Sequence, residues 1–346
     1  MRFTRRRSSL LAKLCTICIN IQHMYALAPA LSFQGRHLLA VDDLAASEIA
    51  ALLRLGSYLK FRRVAEQGQL LRGKTLAMLF EKPSLRTRVS FEVAMTQLGG
   101  HVIFAQGNEF SIGTRETPED AARVLSRYAD AIVIRTHAHE PLQRFAAAAD
   151  VPVINGLSEA AHPCQALADM LTLQERFGSL QGLHIAYLGD ARNNVAASLG
   201  EAAVLCGATM HFGSPPSHRP PEQSLVRLKR IGKTTGGGAR AFTSAVRAVR
   251  GADAVYTDVW TSMGEEAATE RNRAVLAPYR VTEALFEHAA PHAVFMHCLP
   301  AHRGEEVTAN VIDGPRSIVF DQAENRMHAQ KAVLAALLTD LKGFPV

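Results

Sequence analysis

Between residues 75 and 320 of this chain, short apolar runs alternate with amphipathic stretches, and no other feature limits the fold so strongly. The runs fall at 75–80, 101–105, 131–135, 152–155, 184–188, 209–212, 254–257, 293–297 and 317–320. Each is too short for a helix and suits a strand buried on both faces. Helical patterns lie between most of them. After Thr75-Leu76-Ala77-Met78-Leu79-Phe80, Pro83 and Ser84 break the run. Phe91, Ala94, Met95 and Leu98 then recur at helical spacing as far as Gly99-Gly100. Thr117-Pro118-Glu119-Asp120 opens another helix, with proline and acids in its first turn. Residues 162–177 and 323–341 form two long ones. Such alternation specifies an α/β fold of parallel sheets covered by helices.

The length of 346 residues suits about two domains. The break is expected near Gly178-Ser179-Leu180-Gln181-Gly182. The resulting organisation is an N-terminal extension (1–36), a first domain (37–178), a second (179–322) and a C-terminal helix (323–346) returning to the first. The stretches 214–221 and 236–238 read as loops.

Charge and composition exclude several classes. The formal charge is +6, but residues 1–36 hold Arg2, Arg5, Arg6, Arg7, Lys13 and Arg36 and no acid. The remainder is balanced, which gives no footing for a nucleic-acid partner. No stretch has the apolar length of a membrane span. Five scattered cysteines read as free thiols in a reducing compartment. Cys15-x-x-Cys18 is half a zinc site with no second half. The basic, acid-free tail partly imitates a mitochondrial transit peptide and partly a secretory signal. Neither pattern is clean, so the favoured reading is an extra upstream segment or a mis-set start. The expected location is the cytoplasm, with the mitochondrial matrix as the alternative should the tail be a transit peptide.

Two nucleotide motifs fail on context. Gly68-x-x-x-x-Gly73-Lys74-Thr75 matches a P-loop letter for letter. That loop must follow a strand and open a helix, and here the order is reversed. Gly189-Asp190-Ala191-Arg192-Asn193-Asn194 lacks the dinucleotide spacing.

The remaining polar clusters share one place. Ligands of open parallel sheets bind beyond the carboxyl ends of the strands. Ser84, Arg86, Thr87 and Arg88 follow the first run, where Ser84 caps a helix start. Unpaired N–H groups, two arginines and two hydroxyls there make an anion site that suits phosphate. Arg135 ends the third run. His162-Pro163-Cys164-Gln165 follows the fourth, Asp190–Asn194 the fifth, Asp258 the seventh, and His297-Cys298-Leu299-Pro300 the eighth. Singly each has a bland reading: solvated arginines at a capped helix, a helix cap at His162, a loop cap at Asp258, a small buried hydrophobe at Cys298. His137 and His139 read as loop residues. No His/Cys/Asp group has metal-ligand spacing, so neither metal nor cofactor is expected. Six polar clusters at six strand ends are hard to attribute to surface decoration.

Together the segments FEKPSLRTRVSFE, HPCQALAD, GDARNN, DVWTSMG, HCLPAHR and AENR resemble the aspartate/ornithine carbamoyltransferase family over nearly all of residues 37–346. The DxxxSMG and HCLP segments resemble its ornithine branch. The resemblance implies transfer of a carbamoyl group from carbamoyl phosphate to the δ-amine of L-ornithine. It also implies a homotrimer with active sites shared between subunits. Ser84, Leu85, Arg86 and Thr87 match the family's phosphate-binding turn. Arg135, His162 and Gln165 match residues that hold the carbamoyl group, with Arg135 and His162 suited to the oxygen that gains charge. Arg326, Cys298 and Leu299 match further carbamoyl-phosphate contacts. Asn194, Asp258, Ser262 and Met263 match the ornithine site. Arg86, Arg135, His162 and Cys298 form the implied catalytic set, in which Cys298 positions the amine and makes no covalent bond. Ser111 stands where many relatives carry Gln or His. Three rivals remain: a carbamoyltransferase for another amine or an N-acylated ornithine, a nucleotide-dependent oxidoreductase, and a non-catalytic binding paralogue.

Overall fold

The structure is a computed structural model. It describes residues 33–107, 111–260, 269–341 and 344. Ser262, Met263, Cys15 and Cys18 lie outside the described residues, as does most of the basic tail.

Two parallel sheets form the framework. The first holds β1 (Thr75–Phe80), β2 (His101–Gln106), β3 (Ala131–Arg135) and β4 (Val153–Leu157), in the order β2-β1-β3-β4. The second holds β5 (His184–Leu188), β6 (Thr209–Gly213), β7 (Gly238–Phe242), β8 (Ala254–Thr257) and β9 (Val294–His297), in the order β7-β6-β5-β8-β9. The strand order reverses between β1 and β3 in one sheet and between β5 and β8 in the other. Those two switch points are where crevices open in such sheets.

Among the described residues, ten helices of five residues or more position the strands: α1 (Ala46–Phe61), α2 (Leu85–Gln97), α3 (Pro118–Leu125), α4 (His139–Ala148), α5 (Pro163–Phe177), α6 (Asn194–Leu205), α7 (Glu222–Thr235), α8 (Ala245–Val249), α9 (Thr269–Leu276) and α10 (Val319–Leu338). The apolar stripe read from the sequence is the buried face of α2: Phe91, Ala94, Met95 and Leu98 are each 0% exposed. The long α10 lies in the middle of the molecule. Its Val333, Leu334 and Leu337 share one core with Leu55 of α1, Leu167 and Leu171 of α5 and Leu199 of α6. Lys331 on the same helix donates to Gln67 Oε1 at 3.0 Å. The chain end is thereby stitched to both sheets' helices.

Two local expectations are corrected. Residues 317–320 form no named strand, although Ser317 bridges Phe295. Val319 and Phe320 instead begin α10, with Val319 buried and Phe320 turned outward at 71% exposure. Conversely, residues 238–242, where the sequence pattern predicts no strand, form β7, so that Gly238 of the 236–238 stretch belongs to a strand while Gly236 and Gly237 stay in the loop. β7 is an edge strand paired on one side only, so it needs little apolar sequence. Among the described residues, no helix is long and apolar enough to cross a membrane.

Candidate active site

At the first switch point, four residues separate the end of β1 from the start of α2. Ser84 is its N-cap: Oγ accepts from the Thr87 N–H at 3.4 Å and lies 3.0 Å from Thr87 Oγ1. This leaves the N–H groups of the first turn aimed out of the helix. Leu85 is 77% exposed and offers only its backbone to such a site, whereas Thr87 is buried. Arg135 pairs in register with Phe80, at the top of the neighbouring strand. The β3–β4 register shifts at this residue, which re-aims its side chain.

From the other direction, α10 delivers Arg326 to the same spot. Its Nη2 donates to Thr87 Oγ1 at 2.8 Å, and its Nη1 donates to Gln165 Oε1 and faces His162 Nε2 at 3.5 Å. His162 and Gln165 come from the start of α5, where Pro163 takes the first helical position. The sequence clusters around residues 84–87, 135, 162–165 and 326 thus converge on one place, whereas Arg88, expected as the second arginine of the anion site, lies 3.9 Å over the Phe104 ring and 3.5 Å from Glu92.

The electrostatics of that place are unusual. Arg135, His162 and Arg326 are buried at 6%, 5% and 4% exposure. None of the three forms an ion pair with a carboxylate among the described residues. Burial, then Arg326 and Arg86, push the Arg135 guanidinium from 12.5 down to about 10. Burial likewise lowers Arg326. Burial and the two arginines hold His162 well below its ordinary value, so the ring is neutral at pH 7. Arginine can only donate, so His162 Nε2 is the acceptor in their contact and the ring proton sits on Nδ1. Nδ1 of His162, Nε of Arg135 and Nε of Arg326 have no partner among the described residues. Buried donors without acceptors are costly, and so many in one cleft call for an anion.

The second switch point carries the opposite sign. Asp258 follows β8. Its Oδ1 accepts from the Val259 N–H at 2.8 Å and from the Cys298 thiol at 3.1 Å, and its Oδ2 lies 3.5 Å from Asn193 Nδ2. Burial and Asp258 push the Cys298 thiol well above its ordinary value. It stays protonated, which excludes a thiolate nucleophile. Leu299 adopts a φ of 59°, in the left-handed region. It is held there by its N–H bond to His297 Nδ1 at 2.9 Å. That bond puts the imidazole proton on Nε2, facing Glu306 Oε1 at 3.3 Å, with both residues fully buried.

The fold also brings Asp258, His297 and Cys298 into one group whose ligand atoms lie within 4.8 Å of one another. Their spacing in sequence gives no sign of this. The thiol and carboxylate are bonded to each other, the carboxylate also accepts from Val259, and His297 Nδ1 accepts from Leu299, while His297 Nε2 has no hydrogen-bond partner among the described residues.

Asn194 is placed differently from its neighbours. Its Nδ2 donates across the cleft to the Ser158 carbonyl at 2.5 Å. The adjacent Asn193, absent from the sequence-derived set, does more. It caps α6 through Ala196 N at 2.7 Å and donates to Tyr187 Oη at 2.9 Å beside Asp258. The doubled asparagine was its only signal. Glu81 was also unforeseen. It accepts from Thr136 Oγ1, from the His137 N–H at 3.2 Å and from the Ile112 N–H at 2.8 Å, tying the segment after Ser111 to the end of β3. Ser111 Oγ lies 2.8 Å from Thr114 Oγ1.

Residues 36–175 match the carbamoyl-P binding domain of aspartate/ornithine carbamoyltransferase, and residues 181–337 match its Asp/Orn binding domain. An ornithine carbamoyltransferase of Parafrankia sp. (strain EAN1pec) is 52% identical over 308 residues, 88% of this chain and 97% of that one. The anabolic ornithine carbamoyltransferase of Pyrococcus furiosus is 48% identical over 312 residues, 90% of this chain and 99% of that one. The solved ornithine carbamoyltransferase from Pyrococcus furiosus superposes with a TM-score of 0.86 over 89% of this chain and 98% of that one, at 48% identity. The one from Gloeobacter violaceus gives 0.80 over 89% of this chain and 100% of that one, at 44% identity. With both of its domains matched and near-half identity sustained over whole relatives, the chain belongs to the aspartate/ornithine carbamoyltransferase family.

Proposed function

We propose that this enzyme transfers the carbamoyl group of carbamoyl phosphate to the δ-amine of L-ornithine, giving L-citrulline and phosphate in arginine biosynthesis. The observation that carries the reading is the cleft's split charge. Arg86, Arg135 and Arg326 gather on one side with no ion pair to a carboxylate among the described residues, and Asp258 with Cys298 lies on the other.

The chemistry follows from that split. The dianionic phosphate of the substrate takes the α2 start, from Ser84 to Thr87, with Arg86 and Arg326. Arg135 and the Nδ1–H of His162 face the carbamoyl oxygen, which gains charge as the amine nitrogen adds to the carbon. Gln165 holds the carbamoyl amide. The C–N bond forms, the tetrahedral intermediate collapses, and the bond to the phosphate oxygen breaks. Attack requires a neutral amine, so ornithine must shed a proton from its δ-ammonium and another after addition. The first is lost to water before the amine attacks, and the departing phosphate takes the second; Cys298, whose thiol is already protonated and bonded to Asp258, can take neither. Asp258 attracts the cationic amino acid, Asn194, Ser262 and Met263 complete its positioning, and Leu299 joins the carbamoyl-phosphate contacts.

Residues 37–178 then form the carbamoyl-phosphate domain and 179–322 the ornithine domain. We further propose a homotrimer whose sites are shared through residues 108–116, and a cytoplasmic location, supported by the free thiols at 164, 206 and 298. The test is citrulline-type product formation with ornithine, putrescine, aspartate and N-acetylornithine. Ornithine should exceed the others by at least about a hundredfold in kcat/KM. A preference for putrescine or N-acetylornithine would replace the acceptor assignment.

A further inference from the structure

Two buried side chains that face neither substrate tie the two halves of the cleft together. Asp169 lies one helical turn beyond Gln165 in α5 and is 0% exposed, and Gln322 lies one turn before Arg326 in α10 and is 1% exposed. Gln165 Nε2 donates to Asp169 Oδ1 at 2.8 Å, and Gln322 Nε2 donates to the same oxygen at 2.7 Å. Gln322 Nε2 also reaches Tyr256 Oη at 3.1 Å, and its Oε1 accepts the His297 N–H at 2.9 Å. A path therefore runs from Arg326 through Gln165, Asp169 and Gln322 to the Met296–His297 peptide, and on along the backbone of His297 and through the Cys298 thiol to Asp258. Its first half sits on the anion side of the cleft and its second half on β8 and β9. All of the path between Arg326 and His297 is buried, so a member that moves must carry its partner or lose a bond that water cannot replace.

We propose that Asp169 and Gln322 are positioning residues that couple the two substrate sites. The settling of Gln165 and Arg326 on carbamoyl phosphate is passed through them to the His297–Cys298 backbone, and so to the affinity for the amino acid. This rests on the substrate assignment given above. The side chain at 322 fits the task. It must accept from a backbone N–H and donate to a carboxylate at once, which an amide does without a shared proton. Glutamate at 322 would set oxygen against oxygen and need a proton between the two carboxyls. The titratable and charged groups around Asp169 are Arg326 on α10, Tyr256 on β8 and Cys298 beyond β9.

The experiment uses the full chain and L-norvaline, which is ornithine without its δ-amine. Norvaline is titrated calorimetrically with and without saturating carbamoyl phosphate, while citrulline formation is followed in parallel. Carbamoyl phosphate should tighten norvaline about tenfold or more in the parent enzyme. In Gln322→Met this factor should fall below about twofold, with the Kd for carbamoyl phosphate itself changing less than about threefold. Gln322→Glu should retain coupling at acid pH and lose it as pH rises, so its kcat/KM for ornithine gains a falling limb that the parent lacks. Should Gln322→Met fail to fold, the pH profile of Gln322→Glu decides. Parent-like coupling in Gln322→Met, a pH profile of Gln322→Glu parallel to the parent's, or a citrulline-forming parent with no coupling would each overturn the inference. A parent that neither binds carbamoyl phosphate nor forms citrulline would remove the substrate assignment and the inference with it.

Discussion

Replacing Arg135 by methionine should make the ligand-free enzyme more stable and nearly inactive. Arg135 is 6% exposed, its Nε has no partner, and it forms no ion pair among the described residues. Its pKa falls from 12.5 to about 10, through burial first and then through Arg326 and Arg86. At about 1.4 kcal/mol per unit, the folded state bears a cost of about 3 kcal/mol for keeping this cation. The folded value lies below the unfolded one, so the cost is present in full below about pH 10 and is relieved only above it. At pH 7.5 all of it applies. Methionine keeps much of the apolar stem and none of the charge. If half or more of the cost is recovered, at about 2–4 °C per kcal/mol, the melting temperature should rise by about 3–12 °C. Over the same change, kcat/KM for carbamoyl phosphate should fall about 10²–10³-fold, as expected for losing one donor to a developing oxyanion. The assays are thermal unfolding without ligand, the same with 10 mM inorganic phosphate, and citrulline formation. Phosphate should raise the melting temperature of the parent more than that of the variant. A folded variant that melts below the parent without ligand, or that keeps kcat/KM within tenfold, would show that Arg135 is structural.

Asp258→Asn should raise KM for ornithine at least about tenfold while leaving the Kd for carbamoyl phosphate within about threefold; equal weakening of both would mean a structural role. Asp169 is pushed up to about 7 from 3.8, chiefly by burial. For an acid raised on folding, the cost is nil below about pH 4 and grows to about 4 kcal/mol above pH 7. Asp169→Asn does not titrate, so its melting temperature relative to the parent should climb between pH 5 and pH 8, and a constant difference would contradict the burial argument. Arg86→Ala trimers and trimers with 108–116 replaced by Gly/Ser should each be inactive. Activity should return when the two are dissociated and re-mixed, and inactive mixed trimers would exclude sites shared between subunits.

What the sequence discloses and what it hides divide along a physical line. The Ser84 cap, the apolar stripe of α2 and the strand-end positions of Arg135, His162 and Asp258 are local facts, set by neighbours within one turn or one strand. They are visible in spacing alone. Edge strand β7 is hidden because pairing to β6, and not its own Gly-Ala-Arg-Ala-Phe composition, makes it a strand. The start of α10 is misleading because Ser317–Phe320 mimics a buried run until the chain turns Phe320 outward. Asp169 and Gln322 are 153 positions apart yet share a hydrogen bond, and no pattern of spacing encodes such a partner. The resemblance of whole motifs finds residues that touch substrate, but it passes over Asn193, Glu81 and Gln322, which hold those residues in place.

The same strand-end architecture is used twice with opposite electrostatics, and this decides which groups can move protons. On the first sheet the side chains assigned to substrate, Arg86, Arg135, His162 and Arg326, are cations or a neutral imidazole, while the nearby carboxylates Glu81 and Asp169 are taken up by hydrogen bonds to Thr136, His137 and Ile112 and to Gln165 and Gln322. On the second, the Asp258 carboxylate raises the thiol beside it and keeps Cys298 protonated. Neither side therefore offers a free base of ordinary strength at neutral pH. The amine's protons must leave with the substrate's own phosphate or to water before closure, which predicts that activity rises with pH until the ornithine amine itself is deprotonated. A rate that is flat from pH 6 to pH 9 under kcat/KM conditions for ornithine would require a protein base that this cleft does not contain among its described residues.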